Sequence, residues 1–343
     1  MSASAKVVRR LSRSAKVRRV RNMYRRVAGR PTTPTVRTPS PAPGSLPITS
    51  FRLIAVCCSF AEEDIIEATV RHAFAQGCDE FLLIDNRSPD STIELAVAAG
   101  AEFVGYLDMD VHRESVRIEA INDVVRHRVV ENPHVWWMLI DTDEFPVGPD
   151  GTTVREHLKT LRPEHQVVGS TFFNHYPTKR PANIPGIHPI ECQPDGEKEL
   201  FRYCSLGHYK HPLIRRDHGG SALEFGRGAH LPKGHRGQWP EARFGIVTHH
   251  FQFRAEADTR RRMDLMRSRV DRHRPVSRRM EVVDAVYAGR WESVQLRRSR
   301  LGNRPVKLVP VPLWQPSPER RLYVAASLVS PKRVARWIRK TWK

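Results

Sequence analysis

No apolar stretch in this chain of 343 residues approaches the roughly 20 that a membrane-spanning helix needs. The N-terminus is basic but lacks the apolar core, about 7–15 residues long, of a secretion signal, so no cleaved leader is expected. Arg9-Arg10 fails as a twin-arginine signal for the same reason. Cysteine is scarce and unpaired in spacing: five residues, at 57, 58, 78, 192 and 204, two of them inside an apolar run. That usage predicts reduced thiols in a cytosolic protein and not a disulfide framework. No glycine-rich phosphate loop follows the first apolar run. Its continuation, Cys58-Ser59-Phe60-Ala61-Glu62-Glu63, matches neither a dinucleotide fingerprint nor a P-loop, which argues against both enzyme classes.

Acidic residues are absent from residues 1–50, which hold 12 Lys or Arg. Residues 318–343 hold eight Lys or Arg and one Glu, so the two ends supply nearly all of the net charge of +20 and the body is close to neutral. Residues 7–29 and Lys332–Lys343 read as basic amphipathic segments, the second with Trp337 and Trp342, and predict attraction to an anionic membrane surface; nucleic acid is the less favoured partner. A disordered solvated tail and a helix packed on the body are the plain alternatives. Residues 31–49, rich in Pro, Thr and Ser, read as a linker. The expected organisation is a tail and linker over 1–50, one half over 51–150, a second half over 151–317 and a basic tail over 318–343.

From Phe51 strands and helices alternate. Strands are predicted at Arg52–Ser59, Glu80–Asp85, Ala101–Tyr106 and Val135–Ile140. Helices are predicted at Glu62–Gln76 (Glu62, Glu63 and Asp64 complementing its dipole, Gly77 ending it), at Asp90–Ala99 (Ser88 as N-cap, Pro89 at N1) and at Glu114–Val130. This spacing implies a mostly parallel α/β sheet with right-handed crossovers. A capping box at Thr153 and Glu156 opens another helix. Beyond it lie short β-like runs (Val167–Phe173, Glu199–Cys204, Leu213–Arg216, Phe244–Phe253) and charged helical segments at 255–271 and 278–289, with 11 of the 16 histidines between His157 and His250.

The stretch His134–Val147, HVWWMLIDTDEFPV, carries the chemistry. Its apolar run reads as a fully buried strand that delivers Asp141, Asp143 and Glu144 to its carboxyl end, where ligands sit in open α/β sheets. Three acids in four residues repel one another and, if buried, call for a cation. Oxygen ligands suit Mg²⁺ or Mn²⁺, which favour phosphate oxygens. A solvated acidic turn is the alternative. Cys192, Cys204, His208 and His211 have the atoms for zinc but not the spacing of a knuckle or finger.

The blocks CCSFAEEDIIEATVRHAFAQGCDEFLLIDNRSPDST, Arg117-Ile118-Glu119-Ala120-Ile121-Asn122, WWMLIDTDEFP, HYKHPLIRR, Gly228-Ala229-His230 and HHFQFR resemble, in order and spacing, family-2-type nucleotide-sugar glycosyltransferases, in the branch with a DNxSxDxT strand end and an Asp-x-Asp-Glu-Phe metal motif. The resemblance spans about residues 51–270. It implies a GT-A fold, with a Rossmann-like half joined to an acceptor-binding half, and Mn²⁺ or Mg²⁺ on the donor diphosphate. It implies metal ligation by Asp143 and Asp141 with a histidine, His250 in preference to His249 or His230. It implies nucleotide contacts from Asp85, Asn86 and Arg117, with Asn122 either joining them or anchoring a loop. Lys210 and Arg215 are candidates to neutralise phosphate, and Glu224 and Asp217 are candidates for the catalytic base. Asn86 and Arg87 stand where the usual family-2 strand end has Asp and Gly, a departure that bears on base and ribose recognition. Glu144 is expected to point back into the fold.

The expectation is a metal-dependent, inverting glycosyltransferase using a nucleotide-sugar donor and a glycan or lipid-linked acceptor of the cell envelope, peripheral on the inner face of the membrane. A non-catalytic anionic-surface binder and a nucleotidyltransferase on a related sheet are the alternatives.

Overall fold

The computed structural model describes residues 46–178, 184, 187–198, 210–217, 224–226, 239–242, 245–267, 277–289 and 309–311. Both basic tails, the Glu199–Cys204 run, His208 and the Gly228-Ala229-His230 block lie outside them.

The α/β architecture expected from the sequence is present. Strand β1 (Arg52–Ser59) leads through helix α1 (Ile66–Ala75) to β2 (Glu80–Asp85), through α2 (Thr92–Ala98) to β3 (Glu102–Tyr106), and through α3 (Glu114–His127) to β4 (His134–Asp141). These four strands are parallel and lie in the order β3-β2-β1-β4. The order reverses between β1 and β4. Their carboxyl ends therefore frame a topological switch point, with Cys58 beside Asp141.

Burial explains why β1 and β4 read as unbroken apolar runs. Leu53, Ala55 and Cys57 of β1 and Trp136, Met138 and Ile140 of β4 pack with Ile66, Val70 and Ala73 of α1 and Ala96 of α2. The alternate residues, Ile54, Val56, Trp137 and Leu139, pack with Ile118, Ile121 and Val125 of α3 on the other face. Each fully buried Leu, Ile, Val or Met among them contributes about 1.5–3 kcal/mol by leaving water. Gly77 and Gly100 close α1 and α2 with φ of +92° and +107°. The capping box of Thr153 and Glu156 is formed, and opens helix α4 (Val154–Lys159).

Strand β5 (Glu144–Val147) follows the acidic turn, and the sheet then continues antiparallel from β4. Strand β8 (Lys210–Asp217) pairs with β4; β6 (Val167–His175) pairs with β8; β7 (Asp195–Lys198) and β10 (Val309–Pro310) complete that edge. Strand β9 (Ile246–His250) pairs with β5 and runs parallel to β6. Helix α5 (Pro189–Cys192) precedes β7, while α6 (Glu256–Arg267) and α7 (Ser277–Tyr287) follow β9. No helix among the described residues is long and apolar enough to cross a membrane.

Two local expectations are corrected. Helix α1 begins at Ile66, so Glu62, Glu63 and Asp64 precede it and do not sit in its first turn. Helix α2 begins at Thr92 behind Ser91, and Ser88 is not its cap. The Ser88 hydroxyl accepts from the Ala61 amide at 2.8 Å and donates to Asp85 at 2.6 Å, stitching the loop after β2 to the loop after β1.

Buried histidines hold the second half of the sheet. His72 of α1 donates from Nε2 to the Pro146 carbonyl of β5 at 2.7 Å; its Nδ1 then accepts from His188 Nε2 at 3.1 Å, and His188 Nδ1 accepts from the Ile190 amide. His175 of β6 donates from Nδ1 to the Gln193 carbonyl at 2.7 Å and accepts at Nε2 from His249 of β9 at 2.9 Å. Carbonyls only accept, so every tautomer in both sets follows and each ring fits as the neutral form. Burial pushes His72 down to about 3, helped by His188, and pushes His175 and His188 down to about 4. The unfolded chain takes up these protons first, from about pH 6.5 downward. Each such histidine therefore contributes stability that is lost as pH falls from 6.5 toward 4, by up to about 1.4 kcal/mol per pH unit. In urea titrations of parent and H188Q, the parent's advantage is expected to shrink steadily from pH 7 to pH 4.5. A constant difference across that range would contradict neutral burial of this pair.

Candidate active site

Asp141 ends β4 at the switch point. Its Oδ1 accepts from Arg117 Nη1 of α3 at 2.9 Å and its Oδ2 accepts from Lys210 Nζ of β8 at 2.8 Å. Burial works to raise its pKa, but Lys210 and Arg117 outweigh burial and hold the carboxyl well below the usual carboxylate range. Lys210 also donates to Glu144 Oε1 and lies 5.3 Å from the centre of the Phe172 ring. Glu144 is 3% exposed and turns back into the fold, where burial pushes its carboxyl up to about 7 against the pull of Lys210. Arg117 is fixed on its other side by Glu114, one helical turn away, at 3.0 and 3.1 Å.

Asp143 meets a histidine. The β5–β9 register sets His250 opposite Glu144, and the Phe251 amide donates to the Asp143 carbonyl at 2.9 Å. His250 Nδ1 donates to Asn174 Oδ1 at 2.8 Å, which directs Nε2 toward Asp143 Oδ2 at 3.5 Å. In the neutral ring that Nε2 is a lone pair facing a carboxylate oxygen, an arrangement that calls for a proton or a metal cation between the two. The same contact sets both pKa directions. Burial opposes the charged form of each group, but His250 pulls Asp143 down and Asp143 pulls His250 up.

Behind this turn lies a buried ion cluster. Arg254, just beyond β9, reaches Glu62 at 2.7 Å and Asp64 at 2.9 Å, and Arg262 of α6 reaches Glu62 at 2.8 Å. Burial raises the Glu62 and Asp64 carboxyls to about 7 and about 6, with Arg254 opposing it at both. Thr69 of α1 donates its hydroxyl to the Thr142 carbonyl, and the Arg254 charge also helps to lower Asp143. The loop after β1, the acidic turn and the segment after β9 are thus bound into one body. Sequence reading misassigned the acids of this cluster because their partners lie about 190 residues away; Asn174 had no local signal at all.

The remaining candidates divide. Asp85 is fully buried and accepts from Ser59 Oγ, the Ser88 amide and Ser88 Oγ at 2.6–2.7 Å, which ties the end of β2 to β1 and to the loop that follows. The Asn86 amide bonds both backbone groups of Met109, at 3.0 and 3.3 Å. Asn122 does the same for Phe225, at 3.2 and 2.7 Å, and is therefore the loop anchor and not a nucleotide contact. Asp217 pairs with His134 at the other end of β4, roughly 23 Å from Asp141 by strand rise, which removes it as a base. Arg215, opposite Trp136, donates to the Pro163 carbonyl and is likewise far from the acids. Glu224 precedes the anchored Phe225, and its charge helps to raise Arg126 in the last turn of α3. His249 is taken by His175, and His211 faces Glu241 at 2.9 Å, so no zinc set forms among the described residues.

Among the described residues no group of three or more metal-ligating side chains is gathered. Asp143 and His250 form a two-ligand set with its tautomer fixed by Asn174. That set fits a Mg²⁺ or Mn²⁺ ion whose remaining positions are filled by phosphate oxygens and water. Asp141, beside this set, already accepts from one cation at each oxygen.

No family model and no curated protein matches the chain. Solved structures resemble it at low scores. A mannosyltransferase from Pyrobaculum calidifontis in complex with GDP-Man and Mn²⁺ matches 49% of this chain at 17% identity and a TM-score of 0.30, and the match covers 46% of that protein. Glucosyl-3-phosphoglycerate synthase from Mycobacterium tuberculosis, in complex with Mn²⁺, UDP-glucose and phosphoglyceric acid, matches 79% of this chain at 14% identity and a TM-score of 0.32, over 91% of its own length. Likeness at this level says nothing about activity.

Removing the guanidinium in R254M leaves Glu62 and Asp64 buried without their common partner. A loss of about 3 kcal/mol is expected in urea titration. A loss below about 1 kcal/mol would show that the cluster does not hold the loop.

Proposed function

We propose that this protein is a divalent-cation-dependent glycosyltransferase. It moves a sugar, with inversion, from a nucleotide-diphosphate donor to a glycan or lipid-linked acceptor of the cell envelope. One observation carries the reading. At the switch point of a Rossmann-type strand order, the Asp143 carboxylate and the Nε2 of His250 face each other at 3.5 Å, with the cations Arg117 and Lys210 alongside on Asp141. A crevice that pairs a cation-seeking acid–imidazole set with two long basic side chains suits a diphosphate.

Asp143 and His250 would hold Mn²⁺ or Mg²⁺, with Asp141 direct or through water. When bound, the cation supplies neutralisation of the charge that develops on the leaving nucleoside diphosphate. Arg117 orients phosphate oxygens from α3, held for that task by Glu114. Lys210 approaches them from β8. Asn174 keeps the His250 ring turned. The basic tails place the enzyme on an anionic inner membrane surface, close to a lipid-linked acceptor.

Thermal shift with UDP- and GDP-sugars, with and without Mn²⁺, tests the reading. A ligand at 100 times its Kd stabilises by about 2.7 kcal/mol. One donor class is expected to raise the melting temperature by several degrees in the presence of Mn²⁺, and D143A should abolish the shift while melting as a folded protein. A donor shift in D143A equal to the parent's would overturn the assignment of this site.

A further inference from the structure

Lys210 is the feature that a simple metal site does not explain. Its ammonium lies 2.8 Å from Asp141 Oδ2 and also bonds Glu144, while Arg117 takes the other Asp141 oxygen. Lys210 thus serves both Asp141 and Glu144, Arg117 is shared between Asp141 and Glu114, and each oxygen of Asp141 already faces a cation. The lysine is buried over Phe172, with its charge in the place where a dication would meet Asp141. A bare dication arriving there finds both Asp141 oxygens already paired and is repelled by the two positive groups that hold them. A nucleoside diphosphate changes the count. Its two or three negative charges draw Arg117 and Lys210, and Asp141 is released at the moment when phosphate oxygens are present to complete a metal shell.

Building on the glycosyltransferase reading above, we infer that Lys210 is a tethered cation that holds the metal-facing carboxylate Asp141 in the free protein, so that divalent cation and nucleoside diphosphate load together and neither loads well alone. Lys210 suits this role better than arginine because it is a compact point charge on a flexible stem, able to move from the Asp141 and Glu144 carboxylates to a phosphate without breaking a bidentate geometry. The coupling is reciprocal: whatever factor the nucleotide gives the metal, the metal gives the nucleotide.

The test is direct Mn²⁺ binding to the full chain, read as free Mn²⁺ by electron paramagnetic resonance at low salt, for the parent, K210M and K210R, each alone and with saturating GDP or UDP. In the parent, nucleotide is expected to tighten Mn²⁺ at least tenfold. K210M is expected to bind Mn²⁺ alone at least tenfold more tightly than the parent and to lose most of the coupling. K210R, which keeps the charge, should remain weak for Mn²⁺ alone. A K210M protein that binds Mn²⁺ alone no more tightly than the parent overturns the inference. Should K210M fail to fold, the parent decides: Mn²⁺ affinity unchanged by nucleotide overturns it, and tenfold tightening supports it. If neither GDP nor UDP binds at all, the glycosyltransferase reading fails, while the Mn²⁺-only comparison of parent and K210M still decides the role of Lys210.

Discussion

Three carboxylates within four residues at the end of a buried strand must be met by positive charge, and the structure is arranged around that need. Asp141 is met by Arg117 and Lys210, Glu144 by Lys210, and Asp143 by His250. The partners come from α3, β8 and β9, elements far apart in sequence. Because each partner is fixed by its own element, the acidic turn cannot move without disturbing the whole junction between the parallel and antiparallel parts of the sheet.

The same principle recurs one layer back. Glu62 and Asp64 lie on the loop after β1, and Arg254 and Arg262 close on them from the chain after β9. Buried charges of this kind add little net stability, but losing one partner is costly. Their value is positional: they fix the loop after β1 against the turn that carries Thr142 and Asp143. The neutral histidine sets do comparable work for β5, β6 and β9 without adding charge near the acids.

Much of this was legible in the sequence. The strand–helix alternation, the glycine ends of α1 and α2, the capping box at Thr153 and the burial of the Trp136–Ile140 run follow from local pattern and are present. The delivery of Asp141 to a strand end followed from the same run. Pairing register was not legible. Asp217 and Lys210 belong to one strand, and nothing local tells which end of β8 meets the end of β4; antiparallel pairing put Lys210 at the acids and Asp217 at His134. Nor could the sequence show that Glu62 and Asp64 serve Arg254 and not a helix dipole, or that Asn122 grips the Phe225 backbone. In each case the partner lies about 70 to 190 residues distant, beyond the reach of local pattern; for Asn122 the loop-anchoring alternative is the one present.

The central claim is that Asp143 and His250 form a cation site at the carboxyl end of β4, completed by a diphosphate. Crystals grown with Mn²⁺ and a nucleoside diphosphate, measured for manganese anomalous scattering, test it most directly. One strong peak is expected within about 2.5 Å of both the Asp143 carboxylate and His250 Nε2, with phosphate density against Arg117 and Lys210. A manganese peak elsewhere in the molecule, with Asp143 and His250 still facing each other unliganded, would contradict it.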